Sequence, residues 1–121
     1  MQEVANLNIE EIFKIKGVLA VGEFDLSGKL ISFKSNQLNS VQADSTARLS
    51  GSLFSLLSNI FSMYSMYCGI PFEHVNEMIF RSQDLSMVLI SGKKRNVGAF
   101  FKAIEVNTEE LVEKLTKLSS E

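Results

Sequence analysis

The chain has no tryptophan, one proline, one histidine and one cysteine, and each scarcity closes off a class of chemistry. A lone cysteine, Cys68, excludes an intrachain disulfide framework. The single histidine, His74, has only Glu73 beside it, too little for a metal centre, a catalytic triad or a proton relay. It reads as a surface histidine. Charge of neither sign dominates: 12 basic residues stand against 14 acidic ones, a net charge of −2. That balance lacks the positive excess with which a protein captures a phosphate backbone or an anionic lipid surface, so neither nucleic acid nor membrane is expected as a partner. No apolar run approaches a membrane span. The polar start of the chain, with Glu3, lacks the basic and apolar regions of a signal peptide, and a cytoplasmic, reducing setting is expected.

What is present is apolar material, 45% of 121 residues. Such a chain supports one core that hides roughly two thirds of the unfolded surface, and is too short for two ordinary domains. A single domain over residues 1–121 follows.

The periods along the chain change in an ordered way. Asn8 with Glu11 makes an N-terminal cap, and Ile9, Ile12 and Phe13 form the stripe of a short helix that should stop at Gly17. Val18 to Phe24 is nearly continuous apolar sequence, the mark of a strand covered on both faces, whereas Leu30 to Lys34 mixes apolar and polar positions as an outer strand does. Asp25-Leu26-Ser27-Gly28 supplies the turn between them, with Gly28 free to take a positive φ and Asp25 able to bond back to the local backbone.

One long helix is expected from Ser40 to Cys68, ended by Gly69-Ile70-Pro71. Three strands then follow at Val75 to Ser82, Leu85 to Ser91 and Val97 to Ile104, joined by turns short enough for an antiparallel meander. The segment Leu85 to Ile90 should be the buried central strand. Asn107-Thr108-Glu109-Glu110 opens a last helix with Leu111, Leu115 and Leu118 on one face and Glu110/Lys114 and Glu113/Lys117 pairs outside. The order of elements is αββαβββα.

The long helix has two different faces. Leu49, Leu53, Leu56, Leu57, Ile60, Met63, Tyr64 and Tyr67 form a broad apolar stripe, which reads as the face covered by a sheet. Ala47, Gly51, Ser55, Ser58, Ser62 and Ser65 form a seam of small residues that lets a second backbone approach, most simply that of another copy of the chain. Cys68, at the negative end of the helix dipole, is not placed to be a low-pKa thiolate and reads as a buried thiol, with a partner-facing or intermolecular redox contact as the functional alternative. Met63, Met66, Tyr64 and Phe61 read as core, with an adaptable binding surface as the functional alternative.

Candidate chemical groups are few. Gly22 with Gly28-Lys29 has the wrong spacing for a phosphate-binding loop, and Leu30 stands where Ser or Thr would hold magnesium. Lys93, Lys94 and Arg95 put three cations on one turn, a contact for an anionic partner if not simply a solvated loop. No nucleophile and base, metal cluster or phosphate loop can be assembled, so no enzyme activity and no cofactor are expected.

Gly17-Val18-Leu19-Ala20-Val21 followed by Asp25 and Gly28, the small-residue-rich helix Ala47 to Met63, and the strands Met78-Ile79-Phe80 and Met87-Val88-Leu89-Ile90 together resemble the roadblock and dynein-light-chain domains, with their bacterial relatives that regulate small GTPases. The resemblance covers nearly the whole chain and rests on soft patterns. It implies an α+β, profilin-like fold: a five-stranded antiparallel sheet in the order 2-1-5-4-3, the long helix on one face and the two terminal helices on the other. It also implies a homodimer joined through the third strand with the long helices side by side. Met78 and Phe80 would then lie on the pairing strand, and Gly51, Ser55, Ser58 and Ser62 at the helix contact. The departure is the number of serines where the family more often has alanine or leucine. The function implied is a protein-interaction module, a regulator or scaffold for a small Ras-like GTPase or a multiprotein assembly, including an accessory subunit of a metabolic or redox complex. A second reading, from the residues, is a small-molecule sensor with an apolar pocket lined by Phe33, Phe80, Phe100 and Phe101.

Overall fold

The structure, a computed structural model, describes residues 8–72 and 75–121. The expected His74, Glu73 and N-terminal features therefore lie outside the described residues. The elements are α1 (Ile9–Phe13), β1 (Val18–Phe24), β2 (Leu30–Ser35), α2 (Ser40–Cys68), β3 (Glu77–Arg81), β4 (Ser86–Ser91), β5 (Asn96–Phe101) and α3 (Thr108–Ser119). All five strands are antiparallel neighbours in one sheet, ordered β2-β1-β5-β4-β3.

Local chemistry sets the ends of each element. The side chain of Asn8 accepts from the Glu11 N–H at 3.1 Å, and that of Asn107 accepts from Glu110 at 3.1 Å, each satisfying a donor that the first helical turn leaves free. At α2, Asn39 and Gln42 exchange bonds in a full capping box, and Gly69, at φ 70°, closes the other end in the left-handed region. In the β1–β2 hairpin one carboxylate oxygen of Asp25 accepts from the backbone N–H groups of Ser27 and Lys29, both at 2.9 Å, and from the Ser27 hydroxyl at 2.6 Å. Those bonds hold the Asp25 carboxyl below the usual carboxylate range, the Ser27 hydroxyl contributing most.

The strands after α2 are shorter than the apolar pattern suggests. Leu85 is 41% exposed because it belongs to the β3–β4 turn, where its carbonyl accepts from the N–H and hydroxyl of Ser82, each at 2.8 Å. Strand β5 stops at Phe101, since Lys102 turns to donate to the Gly17 carbonyl, and Ile104 in the following turn is 94% exposed.

Two cores lie on opposite faces of the sheet. On one, α1 and α3 place Ile12, Leu111, Leu115 and Leu118 against Val21, Val88, Val97 and Phe101, a layer of large, fully buried side chains. On the other, Phe54 and Ala47 of α2 meet Phe24, Met78 and Leu89, with Leu53 and Leu57 packed beside them.

Candidate interaction surface

The face that α2 turns to the sheet is the reverse of the one its large apolar residues suggest. Its buried residues are Ala43, Ala47, Ser50, Gly51 and Phe54. Gly51 sits directly on the β1–β2 hairpin: a Cβ added to it would lie 2.7 Å from the Gly28 Cα, closer than side chains approach backbone. The N-terminal part of the small seam, Ala47 and Gly51, therefore brings the helix down onto its own sheet and hairpin. Gly51 is a contact within the chain, which corrects its expected place at a helix pair between copies. Ser55 and Ser62 are exposed and Ser58 is half-buried.

The larger residues point outward. Leu49 is 72% exposed, Leu56 57%, Met63 51%, Tyr64 55% and Tyr67 78%; only Leu53 and Leu57 of the expected core stripe pack against the second core. Leu49, Leu53, Leu56, Ile60, Met63 and Tyr67 follow one another at alternating four- and three-residue steps, the spacing of a helix seam that meets another helix. Between Leu49 and Phe72 there is no Asp, Glu, Lys, Arg or His to hold that seam in water.

Geometry explains the exposure. A helix of 29 residues is about 43 Å long at its rise per residue. The sheet, five short strands wide, spans only about 20 Å in either direction. The helix outruns its support, and past Phe54 no residue of α2 is fully buried. Cys68 lies on the overhanging end and is exposed, which overturns its reading as a buried thiol. Met63, Met66 and Tyr64 are exposed as well, and Phe61 is half-buried. There the chain folds back, and the Ser65 hydroxyl oxygen accepts from the Phe72 N–H at 2.6 Å. Phe61, Tyr64, Cys68, Ile70 and Phe72 form an open apolar cup around this fold. The Phe61 ring packs against Phe72 at 4.8 Å and Tyr64 at 5.8 Å between centroids.

Strand β3 is an edge of the sheet. Met78 and Phe80 both project to the α2 side through their registers with Leu89 and Met87, but differently. Met78 is buried in the second core of its own chain, whereas Phe80 stays 39% exposed.

The cationic turn divides. Arg95 turns inward and bonds the Glu23 carboxylate at 2.6 Å, with the Ser32 hydroxyl donating to the other carboxylate oxygen at 2.8 Å. Its charge is already matched, which corrects the expectation of three cations facing a partner. Lys93 and Lys94 remain exposed. Among the described residues, no group of three or more His, Cys, Asp or Glu could hold a metal ion, and no helix is long and apolar enough to cross a membrane.

Of the four phenylalanines expected around a pocket, Phe33 and Phe100 line an apolar cavity between α2 and the sheet. Phe101 belongs to the core on the opposite face, because β5 alternates sides, and Phe80 lies outside the cavity lining.

A sheet ordered 2-1-5-4-3 with one long helix on one face and two terminal helices on the other is the roadblock fold. A roadblock/LC7 domain from Streptomyces avermitilis superimposes with a TM-score of 0.75 at 12% identity, covering 93% of this chain and 89% of that one. MglB from Myxococcus xanthus does so with a TM-score of 0.71 at 15% identity over 97% of each chain. Profilin IA from Acanthamoeba castellanii is more distant, with a TM-score of 0.52 at 11% identity over 85% of this chain and 82% of that one. In sequence, residues 8–117 match the family described as uncharacterized conserved protein (DUF2173), and the chain belongs to that family. No protein with a curated description matches it.

Proposed function

We propose that the chain is a non-catalytic, dimeric interaction module, a regulator or scaffold that works with a small Ras-like GTPase or within a multiprotein assembly. The observation that carries this reading is the seam Leu49, Leu53, Leu56, Ile60, Met63 and Tyr67, exposed at every position but the half-buried Leu53. A row of large apolar side chains on an uncharged stretch of helix gains free energy at about 25 cal/mol for each Å² of apolar surface removed from water. It offers no carboxylate, imidazole or amine for chemistry. A second copy brings the same seam and the same β3 edge, so one two-fold axis can cover both; an uncovered strand edge with Ile79 and Phe80 half exposed is otherwise a site of aggregation. Relatives in fold include an MglB with a tetrameric arrangement, which supports self-association as a use of this fold. The resemblance to roadblock domains supports a GTPase as the further partner, in a bacterial cytoplasm.

The test of the dimer is the solution mass of the chain and of a Leu56→Glu/Ile60→Glu variant. The parent should weigh two chains and the variant one; equal masses would overturn the reading. Gly51 is unsuitable for this experiment because its replacement damages the chain's own core. The choice of partner is tested by retaining lysate proteins on the immobilised chain with GDP and with a non-hydrolysable GTP analogue. Retention of a GTPase in one nucleotide state supports the regulator, and a nucleotide-indifferent set of subunits supports the scaffold.

A further inference from the structure

Gly22 and Gly98 stand directly opposite each other on β1 and β5, in the middle of the sheet and under α2. A glycine inside a strand weakens it and marks a place where something else comes close. For Gly98 the reason is internal: an added Cβ would meet the Leu89 side chain at 2.7 Å. For Gly22 it is not. An added Cβ there would have only the Ser32 carbonyl at 3.5 Å and the Phe33 Cβ at 3.7 Å as neighbours, both on the adjacent strand, and no atom of α2 within 4 Å. Above Gly22 the helix presents Ala43, Thr46, Ala47 and Ser50. Both layers are small at the same point, and a partly open apolar cavity of about 50 Å³ remains between them.

The lining offers nothing to a polar ligand. The hydroxyls of Thr46 and Ser50 donate back to the carbonyls of Gln42 and Thr46, each at 2.8 Å, so neither is free to reach into the space. Leu30, Phe33, Leu38, Met87 and Phe100 are the large side chains of the lining that stay half-buried rather than buried. An apolar cavity of about 150 Å³ takes a benzene ring; this one is a third of that volume, too small for a ring and sufficient for the slim end of a chain.

We infer that the space over Gly22 is a binding site for the terminal carbons of an unbranched alkyl chain, which enters past these half-buried side chains and leaves its polar end outside. Each methylene taken from water tightens binding about threefold to fourfold, until the cavity is full. The site is independent of the seam on the outer face of α2.

The experiment is a titration of the full chain, labelled at alanine and methionine methyl groups, with 1-hexanol and with cyclohexanol, followed by NMR. Saturable shifts with 1-hexanol at Ala20, Ala43, Ala47 and Met87, at least tenfold weaker with cyclohexanol, support the site. Equal response to both alcohols, or shifts confined to Met63 and Met66 on the outer face, would overturn it. The variant Gly22→Ala puts a methyl group into the cavity at ordinary contact distance, so it should fold with a melting temperature equal to or above the parent's and bind 1-hexanol at least tenfold more weakly. Ala43→Val narrows the cavity from the helix side and should weaken binding likewise. Unchanged binding in both folded variants would also overturn the proposal.

Discussion

The two faces of the sheet are packed by opposite rules. Under α1 and α3, large side chains from both layers interlock, and Phe101, Ile12, Leu111 and Leu115 are wholly or almost wholly hidden. Under α2 the helix contributes alanines, a serine, a glycine and one phenylalanine, the sheet supplies most of the bulk, and a cavity remains. The apolar side chains missing from that core are on the outside of the same helix. One face therefore holds the monomer together through interlocked bulk, and the other leaves the larger apolar side chains of its helix in solvent.

The largest expected effect separates these two roles. Phe101→Ala in the first core should lower unfolding free energy by about 3–5 kcal/mol, whereas Leu49→Ala on the outer face should change that of the monomer by less than about 0.5 kcal/mol. Urea denaturation at protein concentrations dilute enough for the monomer measures both, and similar losses would mean that the outer leucine is packed within the chain. An intermediate effect probes the close approach of α2. Gly51→Ala should lower stability by about 1–3 kcal/mol through crowding against the hairpin backbone, measured in the same way; a neutral result would mean that the helix can lift.

The smallest effect belongs to the hairpin turn. The folded Asp25 carboxyl lies below its ordinary range, so its contribution to stability is complete above about pH 4 and fades as pH falls through the lowered folded value. Asp25→Asn should flatten that part of the acid limb in melting temperature against pH. An unchanged limb would assign the acid sensitivity to other carboxylates.

Most of the architecture is legible in the residues because it is written in local signals. Asparagine caps, Gly28 in the hairpin and the period of α3 place the elements, and the long helix runs from Ser40 to Cys68 as its pattern suggests. The facing of α2 is not legible by the same rule. A hydrophobic stripe points to a core when the stripe is the only apolar contact the helix makes, and here Ala43, Ala47 and Gly51 form a second, narrower apolar row at four-residue steps. Which row faces the sheet depends on how closely Gly51 can approach Gly28, a distance between elements that no local pattern records. The stretch from Leu49 to Phe72 carries no charge on either face, so charge cannot tell the solvent side of the helix from the sheet side. Arg95 is a similar case: its partner Glu23 is 72 positions away in sequence, and only the register of β1 with β5 brings them together.

The meeting of Gly51 with Gly28 acts as a tooth in a notch. One turn to either side on the same face the helix carries Ala47 and Ser55, each with the Cβ that Gly51 lacks. A slip of α2 along the hairpin therefore cannot be gradual; it must lift the helix clear and reseat it about a turn further on. The long rod beyond the sheet inherits that indexing, so whatever grips its free end is held at a fixed angle to the hairpin at the other.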